Sequence, residues 1–429
     1  MKRIIRLTLI TLLFTILNNC ESGQNNQFKN YTYNQSINKE NKNRVNIEKD
    51  SNDIDTIPKP IVIEKNLLNI GLLLPLSGAH YHIGTSLLNS AQLALEKTGD
   101  NNIVFHVADM GDPNKALKNF YSILENDLDL IIGPVFTHNI EIVKNVLKEK
   151  KIPTITLSNN SLMEEENIYI FGLTIRDEIK EIMRYSKKNN FKNFVIILPD
   201  GEFGKTIKNE IMNFHSVNSS MSFRFVYYDT ESPDFYSVSK AVSRYEERKI
   251  NLEKQIQRME LLNTDIARKE IKQLKKLDTY GELDFDALII FATKFSEISN
   301  LSSILPYYDV DPKKIQYISN SILGKDIALK EPGLENAYFS SLDIDKKKMF
   351  EEDYLILFNR KPHRLSSLSY DVVGLISKVN LNTDNINNIF NTEAGFIGIN
   401  GWFKFTTDGR VIRKPNIYKI KREKFIKIN

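Results

Sequence analysis

The sequence predicts an α/β protein with two lobes, each an open parallel sheet flanked by helices, and a helical hairpin inserted in the second lobe. Three observations carry that prediction. Short apolar runs alternate with segments of helical periodicity over most of the chain, which is the rhythm of βαβ units. The alternation runs through one series, breaks near residue 172, and starts a second. Within the second series lies a long charged stretch without glycine or proline, whose apolar residues recur at four- and three-residue steps.

The opening unit is Asn69-Ile-Gly-Leu-Leu-Leu-Pro-Leu-Ser-Gly78, an apolar run closed by a proline and small residues, which reads as a buried strand and its loop. Gly84, Thr85 and Ser86 open a helix whose stripe is Leu87, Leu88, Ala91, Ala94 and Leu95. Ile103 to Asp109 is the second strand. Asp112 and Pro113 then suit the N-cap and first position of a helix carrying Ala116, Leu117, Phe120 and Leu124. Leu130 to Val135, Pro153 to Leu157 and Ile168 to Gly172 are three further strands, with a helix marked by Ile140, Val143, Val146 and Leu147 between the first two. In such sheets ligands sit beyond the carboxyl ends of the strands, at loops and helix N-termini.

The second series has a helix over about Arg176 to Lys188, a strand from Phe194 to Pro199 and a loop, Asp200-Gly-Glu-Phe-Gly204, that opens a helix to about Phe214. Phe223 to Tyr228 and Phe285 to Phe291 are strands. Between them, Val238, Val242, Tyr245, Leu252, Ile256 and Met259 form a heptad-like seam, interrupted at Leu261 to Asp265 and resumed by Ile266, Ile271, Leu274 and Leu277. This predicts a helical hairpin, its second helix capped by Asn263 or Thr264. The pair either closes on itself, lies on the lobe, or serves as an arm for a partner protein. Asn336 to Ser340 is a short strand, helices follow near Lys346 to Phe358 and Leu365 to Val379, and the tail reads as strands joined through an Asp408-Gly409 turn.

The N-terminus has a different character. Met1 to Arg6 is basic and Leu7 to Leu17 apolar, a run of about eleven residues that is too short to span a bilayer as a helix. Cys20 is the single cysteine, so no intramolecular disulfide forms. An export signal ending at a lone cysteine resembles a bacterial lipoprotein signal, which implies cleavage before Cys20 and lipid on its thiol; a plain secretory signal or a retained anchor is the alternative. Glu21, where an aspartate would retain such a lipoprotein in the inner membrane, implies the outer membrane. Glu21 to about Asn66 is rich in Asn, Lys, Ser and Gln with no sustained apolar period, and reads as a disordered tether. The expected organisation is therefore a signal over 1–20, a tether over 21–66, a first lobe over 67–172, a second lobe over 173–335 with its arm at 238–277, and a return to the first lobe with crossover strands over 336–429. The net charge of +4 is spread among alternating signs, which excludes a nucleic-acid stripe.

In this order, Ile70-Gly-Leu-Leu-Leu-Pro-Leu-Ser-Gly78 with Gly84, Ile131-Ile-Gly-Pro134, Ile152-Pro-Thr-Ile155 and Asp200-Gly-Glu-Phe-Gly204 resemble the type I periplasmic binding proteins, the leucine-binding-protein-like superfamily. The charged insertion ending in Leu277-Asp-Thr-Tyr-Gly281, Tyr370-Asp-Val-Val373 and the tail Gly395 to Phe405 resemble the penicillin-binding-protein activator lipoproteins within it. That resemblance implies a non-enzymatic outer-membrane lipoprotein in the periplasm that binds and stimulates a peptidoglycan synthase. Members of that family also carry a helical-repeat domain where this chain has its tether.

In the amino-acid receptors of this fold, lobe-one hydroxyls and N–H groups hold the ligand carboxylate. The resemblance places the corresponding cleft at Ser77, Gly78, Thr137, Ser158 and Asn160, with Asp200, Phe203 and Thr293 across it. A solute receptor that delivers an amino-acid-like molecule to an ABC transporter is the alternative function. No Gly-x-Ser-x-Gly elbow, Walker loop or Cys-x-x-Cys occurs. His80 and His82 are expected in a loop with no cysteine or third histidine close by in sequence, so no metal, cofactor or catalytic residue is predicted.

Overall fold

An unbroken apolar run makes the first strand, β1 (Leu68–Leu74), in which every residue except Asn69 is buried. Both faces of its sheet are covered, so the strand shows no alternation. The computed structural model describes residues 67–160, 163–217, 220–378, 389–390 and 392–428; Cys20, the signal and the tether lie outside the described residues. A single turn of 3₁₀ helix, Gly78–His80, leads into α1 (Tyr81–Thr98). His80 and His82 therefore lie in that turn and the first turn of α1, not in a loop, because the helix begins three residues before Gly84.

β2 (Ile103–Asp109) pairs in parallel with β1, and α2 (Pro113–Leu124) follows with the Asp112 carboxylate accepting from Asn114 N at 3.0 Å. β3 (Leu130–Ile132), α3 (Thr137–Lys150), β4 (Thr154–Thr156) and β5 (Ile168–Ile170) complete a five-stranded parallel sheet of order β2-β1-β3-β4-β5. One face packs α1 through Leu87, Ala91 and Ala94; the other packs α2 and α3 through Phe120, Val143 and Leu147.

The chain then crosses to α4 (Ile175–Lys188), β6 (Asn193–Pro199), α5 (Glu202–Val217) and β7 (Ser222–Tyr228). Three helices follow: α6 (Phe235–Ser243), α7 (Tyr245–Leu262) and α8 (Asp265–Leu274). β8 (Ala287–Ile290), α9 (Phe295–Ile304), β9 (Gln316–Ser319) and β10 (Tyr338–Ser341) continue the lobe. Tyr338 and Phe339 pair with Ile318 and Ser319, so the return to the first lobe comes after Ser341 instead of at residue 336.

α10 (Ile344–Phe358) and α11 (Ser366–Lys378) pack on α1. Ser86 is the polar hub of that contact, within 2.6 Å of Ser366 Oγ and 3.1 Å of Tyr354 OH while accepting from His363 N at 2.8 Å. β11 (Phe396–Gly398), β12 (Gly401–Phe405) and β13 (Val411–Lys414) form a small antiparallel sheet, and Phe403 and Phe405 join the first-lobe core. After Pro415 the chain crosses again to β14 (Asn416–Lys421) and β15 (Lys424–Lys427), giving the second sheet the order β15-β14-β10-β9-β8-β6-β7. It is parallel from β10 to β7, with an antiparallel pair at the edge.

Arg413, just before that last crossing, is buried. Its Nη2 donates to Phe171 O at 2.6 Å, and the guanidinium lies 4.2 Å from the centre of the Phe171 ring. The carboxylates of Asp371 on α11 and Asp177 on α4 supply the countercharge. Asp371 in turn accepts from Ile399 N at 2.6 Å, Asn400 N at 3.1 Å and Asn400 Nδ2 at 2.8 Å. A Cβ on Gly398 would fall 2.3 Å from Asp371 Oδ1, so glycine is what lets the tail lie against that carboxylate.

Gly84 meets a similar limit within α1. A Cβ there would stand 2.1 Å from Pro75 O, so the helix can lie this close on the loop after β1 only without a side chain. Alanine is the better helix former by about 1 kcal/mol, and propensity alone would make Gly84→Ala stabilising. The expected outcome is the reverse: a loss of about 1–3 kcal/mol from overpacking, read by urea unfolding of the purified protein. An equal or higher midpoint would contradict the packing described here.

Candidate functional site

The loops at the carboxyl ends of the first-lobe strands bring three of the expected residues together. Thr137 opens α3, Ser158 follows β4, and Asn160 links them: its Nδ2 donates to Thr137 Oγ1 at 3.3 Å and its backbone N to Ser158 Oγ at 3.2 Å. His80, Phe136 and His138 flank this rim, with His80 4.7 Å and His138 5.8 Å from Phe136 between ring centroids.

Ser77 and Gly78 stand on the loop after β1, where the donors are already engaged. Asp109 at the end of β2 accepts from Leu76 N at 2.8 Å, Ser77 N at 3.1 Å and Gly111 N at 2.8 Å. Burial works to raise the Asp109 pKa, but donors from Ser77, Gly111 and Leu76 outweigh it and hold the carboxyl below its ordinary value. A resident carboxylate thus takes the N–H groups of Leu76, Ser77 and Gly111 at this end of the sheet.

The second lobe repeats the device. Glu297, in the first turn of α9, reaches back to accept from Thr293 N at 2.8 Å, Lys294 N at 3.0 Å and Thr293 Oγ1 at 3.0 Å, and from Tyr228 OH at 2.8 Å. Burial works to raise its pKa, and these donors bring the net shift below the ordinary value. Thr293 is therefore committed to its own lobe. Asp200 and Phe203 are exposed at the start of α5, and Asp200 N donates to Tyr228 O at 2.8 Å.

The predicted arm is divided. Arg244 takes a left-handed φ of 52° and ends α6. Val238 and Val242 belong to α6, buried in the second-lobe core beside Tyr228 and Phe235, so they are not arm residues. The hairpin proper is α7 and α8, turned at Asn263 with φ 43° and capped by Thr264, whose Oγ1 accepts from Ala267 N at 3.1 Å. Tyr245, Leu252, Ile256 and Met259 are its buried or half-buried residues on α7, and Ala267 and Leu274 are buried on α8. The seam is shorter than its spacing predicted: Tyr245 packs on Tyr308 of the lobe with ring centroids 5.3 Å apart, and Ile266 and Leu277 are exposed instead of buried.

The base of the hairpin is fixed by Arg248. Its Nε donates to Gly281 O at 3.1 Å, its backbone O accepts from Tyr280 N at 3.0 Å, and its guanidinium pairs with Asp309 at 3.0 Å. An open cavity of about 610 Å³ lies there, lined by Arg248, Lys276, Thr279 and Asp309 among others, and not between the lobes.

Sequence reasoning missed Asp109, Glu297, Asp371 and Arg413. Asp371 sits in the otherwise apolar stripe of Leu368, Val372 and Val373, and Arg413 occupies an inward position on a short strand. Those polar interruptions were the available signal. Their partners are far off in sequence, 242 residues away for Arg413 and Phe171.

The family described as "LppC putative lipoprotein" matches residues 60–321. An uncharacterized protein of Rickettsia prowazekii (strain Madrid E) is 25% identical over 180 residues, 42% of this chain and 47% of that one. Full-length LpoA from Haemophilus influenzae superposes with a TM-score of 0.61 at 14% identity, covering 85% of this chain and 59% of that one. Its C-domain alone, described as a regulator of PBP1A, is covered completely (100%) by 84% of this chain, with a TM-score of 0.59 and 14% identity. A periplasmic ligand-binding protein of a branched chain amino acid ABC transporter from Burkholderia xenovorans LB400 gives 0.58 at 14% identity, over 84% of this chain and 94% of that one. This chain thus spans less than two thirds of the Rickettsia protein and of full-length LpoA. At such identities the structural likeness shows the fold, the type I periplasmic-binding-protein architecture that the motifs implied.

Glu178 on α4 gives the protein's stability a measurable pH dependence. Half-buried, it accepts from Ser321 N and Ser321 Oγ at 2.8 Å each. Burial pushes its carboxyl from 4.5 up to about 7, against the two Ser321 donors and with the aid of the Asp177 charge. A folded pKa above the unfolded value means stability present below about pH 4.5 and lost as the pH rises through about 7. Glu178→Gln, which stays neutral, is expected to melt about 2–4 °C above wild type at pH 8, with the gap closing by pH 5. A gap independent of pH would contradict the burial of a titrating carboxyl at this position.

Proposed function

The chain belongs to the LppC family, and from that premise we propose that it is a non-enzymatic periplasmic lipoprotein that binds and stimulates a peptidoglycan synthase of the penicillin-binding-protein class. The single observation that carries the reading is that the protein's own carboxylates engage the donors of two of the expected cleft loops. Asp109 engages the N–H groups of Leu76 and Ser77, and Glu297 those of Thr293 and Lys294, on two of the loops expected to face a solute. A hairpin that a solute receptor does not need extends from the second lobe, and a regulator of PBP1A in another organism shares the fold. Lipid on Cys20 would hold the protein to the outer membrane and the tether would give it reach. The mechanism is a population shift: the lipoprotein binds the synthase's active arrangement better than its idle one, and stimulates by that difference in affinity.

A receptor for an amino-acid-like solute is the second reading, favoured by the convergence of Thr137, Ser158 and Asn160 on one rim. The two readings separate in one experiment. The full chain in detergent is added to a purified bifunctional penicillin-binding protein of its own cell while glycan-strand polymerisation is followed, and its melting is recorded against a panel of amino acids. A saturable rise in polymerisation with no thermal shift is expected. No effect on the synthase, together with a ligand-dependent rise in Tm, would replace the activator with the receptor.

A further inference from the structure

The hairpin's seam faces inward, which leaves open what its outer surface is for. Leu261, Leu262 and Ile266 surround the turn and are 86%, 58% and 78% exposed. Three aliphatic side chains so exposed at one end of a rigidly capped hairpin do not serve the fold: the turn is held by Asn263 and Thr264, and the helices by residues behind it. The adjoining helix and the residues just after it carry a net positive charge, with Arg268 paired to Asp265 at 3.5 Å. Over residues 265–276 five exposed cations, Arg268, Lys269, Lys272, Lys275 and Lys276, stand against the carboxylates of Asp265 and Glu270.

We infer that the tip of the hairpin is a docking surface for a protein partner, the three aliphatics entering an apolar recess and the cations of α8 meeting carboxylates along one side of it. The inference rests on the activator reading and names the contact that reading requires. An apolar anchor beside a charged rim is the usual division of labour at an interface: the anchor supplies affinity, and the rim supplies association rate and orientation. A membrane surface fits less well. Glu260 and Asp265 adjoin the aliphatics, and insertion of the tip would press those carboxylates against anionic headgroups. There is also no Trp or Tyr in the turn to hold the interface.

The test uses the full chain and the periplasmic part of the bifunctional penicillin-binding protein, with binding followed by surface plasmon resonance at several salt concentrations. Leu261→Ser with Ile266→Ser is expected to weaken binding about tenfold or more, mainly through faster dissociation. Lys269→Glu with Lys272→Glu is expected to slow association and flatten its salt dependence. Met349→Ser with Ile356→Ser, at exposed positions of α10, is the control and should change nothing. All these sites are at the surface, so unchanged melting confirms that each variant folds. If wild type binds and the tip variants bind equally well, the docking inference is overturned while the activator reading stands. If wild type does not bind, both fall. If the tip pair keeps synthase affinity but loses binding to vesicles of one part phosphatidylglycerol to three of phosphatidylethanolamine, the tip is a lipid contact and the inference is wrong.

Discussion

A single buried cation holds together the places where the chain passes between its lobes. Arg413 stands just ahead of the last crossing, bonds the carbonyl of Phe171 at the end of the first-lobe sheet, and feels the charges of Asp371 beneath the tail and Asp177 at the start of the second lobe. Burial pulls its pKa down to about 10, and the two carboxylates resist that shift. The tail is held through the same group: Asp371 caps Ile399 and Asn400 only because Gly398 lets the backbone approach.

The chemistry of the cleft is decided by two carboxylates that belong to the protein itself. Asp109 and Glu297 each gather several donors at the carboxyl end of a sheet, where the fold ordinarily meets its ligand. A solute carboxylate would have to displace a hydrogen-bonded group held below its ordinary pKa. The architecture of a receptor is kept while donors on two of its loops are used internally, and three exposed aliphatics cluster at the end of the hairpin. This contrast is the physical basis for reading the molecule as a protein-contact device.

Much of this was legible in the sequence because it is written locally. β1 and β6 are continuous apolar runs, Asp112-Pro113 marks a helix start by cap and ring geometry, and Thr264 caps α8 as a short polar break in a helical pattern suggests. The division of the arm was not legible. Val238, Val242 and Tyr245 keep the heptad step through the break, and the left-handed turn at Arg244 that parts them carries no glycine to announce it. The same spacing serves a core-facing helix and a hairpin seam, and only tertiary contact tells them apart. The roles of Asp109, Glu297, Asp371 and Arg413 were hidden for a related reason. Single charged residues in mixed segments reveal nothing until the fold brings their partners to them.

The measurement that tests the central claim most directly is hydrogen–deuterium exchange on the full chain, alone and with the penicillin-binding protein added. Exchange reports protection where a partner covers or steadies the backbone. The account predicts new protection concentrated on residues 245–276, with the segments 76–78, 137–139 and 158–160 unchanged. Protection of those segments with the hairpin unaffected would contradict it, and would return the function to the cleft.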